Sequence, residues 1–156
     1  MSLTMTSAGS TQQAAAKDPA RAIARLRGAS MGALTMLIIE FALGVGVNLY
    51  ITPAKGGVGE AFSNGPLLAL HSVLGLLLIL AAIDLLVRAI MAGHRVVTVA
   101  SALGLLAILG AAFNGVGFLK HGQNGASMAM SVAGAVAMLC YAVCLVILGS
   151  SERTKA

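Results

Sequence analysis

Four stretches of this chain are each long and apolar enough to cross a bilayer, and the connections between them leave no room for a second domain. They cover about residues 30–51, 66–91, 96–119 and 124–149, against the roughly 20 apolar residues that ~30 Å of hydrocarbon requires. The reading that follows is an all-α, integral membrane four-helix bundle over 30–151. A polar tail occupies 1–29 and a short tail 152–156. The composition agrees: the 156 residues are 58% hydrophobic and 10% charged, where a soluble domain carries about 25% charged residues. A soluble enzyme, a nucleic-acid binder and a disordered chain are excluded on that ground. Two cysteines are too few for a disulfide scaffold.

Placement of the basic residues sets the orientation, because Lys and Arg concentrate on the cytoplasmic side. Lys17, Arg21, Arg25, Arg27, Arg88, Arg95, Arg153 and Lys155 fall on one side, eight of the ten, and Lys55 and Lys120 on the other. Both termini are therefore expected in the cytoplasm, in the plasma (inner) membrane, with the lipid bilayer as the principal partner. The net charge of +5 then reads as a topology signal and not as a nucleic-acid footprint. Asp18-Pro19 has the form of a helix start, and a short surface helix over 19–27 is expected, with Ile23 and Leu26 dipping toward the membrane. The tail ahead of it is too polar for the apolar core of a secretory signal, so the first span is expected to be retained. The Gly-rich loop Thr52–Glu60 lacks the spacing of a phosphate-binding loop. Asn64-Gly65-Pro66 is a turn feeding the second span.

Polar side chains inside a span are costly and mark function or helix pairing. At ~1.5 Å per residue, Asn48, His71, Asn114 and the Ser127/Met128 pair fall in one layer near the outer end of all four helices, with His121 just above it. Such a layer reads in two ways. Imidazole and thioether groups are axial ligands of haem iron, so His71 with His121 or Met128 would hold a b-type haem, Asn48 and Asn114 standing in the same layer. Gly75, one turn from His71, would leave room for the macrocycle. Alternatively the layer is a set of hydrogen bonds between helices. Glu40, mid-span, is a separate candidate: a carboxylate at that depth can relay protons or couple to a substrate. Asp84 and Arg88, spaced i,i+4, can neutralise each other. Cys140 and Cys144 share a helix face without disulfide geometry and read as packing groups, while His94 reads as a solvated loop residue. Small residues four apart, such as Ala42/Gly46 and Ala107/Ala111/Gly115, allow close helix approach.

With His early in the second of four spans, Leu70-His71-Ser72-Val73-Leu74-Gly75 resembles the second helix of the four-helix halves of haem A synthase and related b-type membrane cytochromes. That resemblance covers about residues 30–149. It implies His71 as a haem ligand and a role in electron transfer or in assisting a respiratory complex, with quinone as a possible redox partner class. The sequence departs from those families in two places. The fourth span contains no His, and Leu68 stands where haem A synthase has a Glu three residues before its ligand. A Glu in the first of four spans, as Glu40 is here, is also similar to the small four-helix multidrug transporters. Those are rich in aromatics, whereas this chain has no Trp and six Phe or Tyr in all. Three functions are thus open from the sequence: a haem b protein, a small proton-coupled transporter using Glu40, and a non-catalytic accessory subunit of a homo- or hetero-oligomer.

Overall fold

The computed structural model describes residues 19–50, 65–121 and 124–153. Four helices account for them: α1 (Pro19–Tyr50), α2 (Pro66–Met91), α3 (Arg95–His121) and α4 (Asn124–Arg153). Each is long and apolar enough to cross a membrane, and no strand occurs among the described residues. The chain is an all-α, multi-pass four-helix membrane bundle. The tail before Pro19, including Asp18, the loop 51–64 with Lys55, the turn 122–123 and residues 154–156 lie outside the described residues.

The second span coincides with its sequence reading from end to end. Gly65 precedes the helix, Pro66 stands at its start, and the amides of Leu68 and Ala69 donate to the Gly65 carbonyl at 3.0 and 3.1 Å. Pro fits there because its missing N–H would have had no partner. At the other end Gly93 takes φ +67°, Gly93 N–H donates to Ile90 O at 3.0 Å and His94 N–H to Ala89 O at 3.4 Å. This left-handed glycine closes the helix by satisfying its last carbonyls. The next helix begins at Arg95, so α2 and α3 must pack antiparallel.

The helix expected over 19–27 is not a separate element. It is the start of α1, which runs unbroken for 32 residues, about 48 Å of helix. Leu26 is 1% exposed and belongs to the central core with Ala33 and Leu37, so this turn packs against the bundle instead of lying on the headgroups.

The buried positions explain how the helices pair. On α1 they are Leu26, Ser30, Ala33, Leu37, Glu40 and Val47; on α2, Leu68, Leu78, Ala82, Leu85 and Ala89; on α4, Gly134, Ala137, Tyr141, Cys144 and Leu148. Steps of three and four alternate, with Gly44 on α1 and His71 and Gly75 on α2 completing the series. That 3.5-residue repeat belongs to helices packed knobs-into-holes with a left-handed twist. Contacts join α1 to α2, α2 to α3, α3 to α4 and α4 to α1, with none of weight across either diagonal. The helices therefore stand at the corners of a square. Asn48 meets Ser127 and Phe41 meets Gly134 between α1 and α4. Ser101 meets Cys144 and Gly115 meets Met130 between α3 and α4. In both seams one register rises as the other falls, so both neighbours are antiparallel and the start of α1 and the end of α4 lie at the same end of the bundle.

Large side chains such as Leu76, Leu106, Leu139 and Val146 are 60–71% exposed, with Val146 at the top of that range. Exposed apolar surface of this extent suits helices surrounded by hydrocarbon.

Candidate functional site

The bundle core is not continuous. One apolar cluster includes Leu37 and Leu78 and extends toward the chain ends. A smaller one at the opposite end is built on Val47 and Leu68. Between Leu37 and Val47 the core positions of α1 are Glu40 and Gly44. Between Leu68 and Leu78 those of α2 are His71 and Gly75. The register of the other two helices brings Ala111 and Gly115 of α3 and Met130 and Gly134 of α4 to the same level. This band of the interior carries one carboxylate, one imidazole and otherwise mostly Gly and Ala.

Glu40 and His71 meet there. Glu40 Oε1 lies 3.0 Å from His71 Nδ1, with the carboxylate side chain 10% exposed and the imidazole 28%. The ring nitrogen is not directed along the line to the carboxylate, and His71 Nδ1 and Glu40 Oε2 are both buried without a directed hydrogen bond from protein groups. The contact is thus an approach to hydrogen-bond distance without a directed bond. Because Nδ1 is buried, the exposed part of the imidazole is its other edge.

Two glycines make the approach possible. A Cβ on Gly75 would fall 2.9 Å from Glu40 Oε1, and one on Gly44 would fall 3.2 Å from His71 Cε1. Each polar side chain therefore docks on the glycine of the opposite helix, one turn from its partner. Gly75 was expected to leave room for a macrocycle; the structure fills that room with the Glu40 carboxylate.

The remaining sequence candidates divide. Ser127 Oγ donates to Asn48 Oδ1 at 2.9 Å, so these two form the expected bond between α1 and α4. Asn114 turns to its own helix, its Nδ2 donating to Gly110 O at 2.8 Å. Met128 is 71% exposed, on the outward face of α4 and away from His71. His121 ends α3, and its side chain lies outside the described residues. No group of three or more His, Cys, Asp or Glu suited to a metal ion occurs among the described residues. Of the three axial donors considered for haem, the described side chains bring His71 alone into the bundle.

Away from this band, Arg88 Nε donates to Asp84 Oδ2 at 2.6 Å, the expected i,i+4 pair, on an exposed face. Cys144 is buried and Cys140 half-buried, and both are free thiols. Cys144 Sγ lies 3.8 Å from Ser101 Oγ and 3.9 Å from Val97 O. Tyr141 is fully buried and its hydroxyl has no partner among the protein groups. Its ring sits on Gly104, where a Cβ would fall 2.6 Å from Tyr141 Cε1. These residues pack α3 against α4 in the half of the bundle nearer the chain ends.

Comparison of the chain with family models, with curated protein sequences and with solved structures returns no match in any of the three. The functional reading therefore rests on the geometry of the polar band.

Proposed function

We propose that this multi-pass membrane protein is a small proton-coupled transporter whose protonation site is the Glu40–His71 pair. The observation that carries the reading is the 3.0 Å separation of Glu40 Oε1 and His71 Nδ1 at core positions of a membrane-spanning bundle. An ionised side chain at bilayer depth costs about 2.5–3.5 kcal/mol on insertion scales, and apolar packing alone gives no reason to retain two ionisable groups there. Together they form a two-site proton store. With one proton the pair is net neutral, as carboxylate with imidazolium or as carboxylic acid with imidazole. A second proton makes it cationic, and loss of the first makes it anionic. Each change of charge alters the cost of keeping the site in its apolar surroundings, which is how proton binding can drive a change in bundle packing. Glu40 supplies the carboxylate that exchanges the proton, and His71 supplies the neighbouring base and the more exposed edge.

The test is dissipation of a pH gradient in vesicles reconstituted with the purified protein and a trapped pH dye, alone and with a panel of amines, carboxylates and sugars. Dissipation accelerated by one solute class, and abolished by Glu40→Gln, is expected. Dissipation no faster than in protein-free vesicles across the panel, or unchanged in Glu40→Gln, would overturn the reading.

A second reading is favoured by one feature of the same contact. Metal-ligating imidazoles commonly donate their other ring N–H to a carboxylate, which fixes ring orientation, and Glu40 Oε1 stands 3.0 Å from Nδ1, near enough for that bond although the ring is not turned along it. His71 would then be the residue to hold a b-type haem, with His121 as the remaining candidate for a second ligand. The bound haem would supply one-electron chemistry, with a quinone or a respiratory complex as partner. A reduced-minus-oxidised absorption spectrum of protein expressed with ample haem tests it, the absence of a haem band being the contrary result.

A further inference from the structure

Gly44 and Gly75 are related to the pair by the same interval. Glu40 and Gly44 are four apart on α1, and His71 and Gly75 are four apart on α2, so in antiparallel register each side chain faces the glycine of the opposite helix. Both contacts are tight. A methyl group on Gly75 would fall 2.9 Å from the oxygen that faces His71, a separation that forces movement, and one on Gly44 would fall 3.2 Å from the imidazole. The atom displaced at Gly75 is the end of a flexible carboxylate, free to swing away without unpacking the helices. By contrast, nothing lies within 4 Å of a Cβ built on Gly110 of α3.

We infer that Gly44 and Gly75 are positioning residues of the proton site, each holding a slot that sets the distance between Glu40 and His71. This rests on the reading of the pair as the protonation site. The two glycines touch no transported species; they act through where they allow the carboxylate and the ring to sit. Among the described residues, the core positions facing this level from α3 and α4 are Ala111, Gly115, Met130 and Gly134. Among the described residues of the band, Glu40 is the one titratable group beside His71, so the His71 ring is the place to follow a change in their separation.

The experiment is a nitrogen-15 NMR titration of the full chain labelled at histidine, with the His71 resonance assigned by its loss in His71→Gln. The Glu40→Gln variant defines the midpoint of His71 without a carboxylate beside it. In Gly75→Ala the His71 midpoint is expected to move more than half of the way from the wild-type value to that of Glu40→Gln. Gly44→Ala should move it by a smaller fraction, and Gly110→Ala not at all. A folded Gly75→Ala that titrates at the wild-type midpoint would overturn the inference. If Gly75→Ala fails to fold, Gly44→Ala decides: a shift toward Glu40→Gln supports the slots and no shift overturns them. The readout reports geometry independently of transport. A wild-type protein that moves no protons in vesicles yet shows these shifts would refute the transporter and leave the positioning role standing.

Discussion

Glu40 Oε1 stands 3.0 Å from His71 Nδ1 although their Cα atoms belong to different levels of the bundle. Glu40 is level with Gly75 and His71 with Gly44, one helical turn apart, and two long side chains span the difference. The arrangement predicts thermodynamic coupling. Removing either partner alone leaves an uncompensated polar group in an apolar seam. The single variants Glu40→Gln and His71→Gln are expected to lower thermal stability by more together, summed, than the double variant does. Groups in direct contact show coupling of about 0.5–3 kcal/mol. Thermal melts of the four proteins in detergent close the cycle, and strict additivity would contradict the pairing.

The seam between α3 and α4 makes a separate prediction. A Cβ on Gly104 would fall 2.6 Å from Tyr141 Cε1, so Gly104→Ala drives a methyl group into the ring and is expected to cost about 1–3 kcal/mol, the usual penalty for overpacking a tight core. Tyr141→Phe removes a buried hydroxyl that has no partner among the protein groups and should be neutral or stabilising. Melting temperatures of the two variants check both directions. A large loss in Tyr141→Phe would mean that the hydroxyl is held by a group other than the protein.

The bond from Ser127 to Asn48 is an ordinary link between membrane helices. Ser127→Ala is expected to cost about 0.6 kcal/mol, the average for such bonds, and to leave any transport activity intact. Its stability effect should be markedly smaller than that of Gly104→Ala.

Much of the fold was legible because hydrophobic length is a strong signal in a membrane chain. Pro66 and Met91 bound the second span in the sequence and in the structure alike. The start of α1 was harder to read. Arg21, Arg25 and Arg27 suggest a surface helix, but Leu26, Ser30, Ala33 and Leu37 continue one stripe at steps of four, three and four, which carries the helix into the bundle. The polar pair was hidden for a different reason. Counted from the helix ends, Glu40 is about 15 Å deep and His71 about 7–8 Å, which puts their backbones in different layers; side-chain reach then closes the gap. Depth counting also ignores rotation about the helix axis, which is why Met128, at the right level, faces outward. The signal that could have found the pair was the shared interval, Glu40 to Gly44 and His71 to Gly75, on helices that must run antiparallel.

The antiparallel seams put the start of α1 and the end of α4 on one side of the bundle, and the basic residues predict that this side faces the cytoplasm. A cysteine at position 155, in a chain whose native cysteines are replaced by Ala, should react with an impermeant maleimide only after cells are opened. A cysteine at position 55 should react in intact cells. Labelling of position 155 in intact cells would reverse the topology.

The central claim is that the carboxylate of Glu40, beside His71, takes up and releases a proton. Infrared difference spectroscopy of the membrane-reconstituted protein, recorded across a pH titration, observes that group directly through its carboxylic and carboxylate stretching bands. The account predicts a carboxyl signal that disappears in Glu40→Gln and whose midpoint moves in His71→Gln. A spectrum identical in wild type and Glu40→Gln across the whole pH range would contradict it.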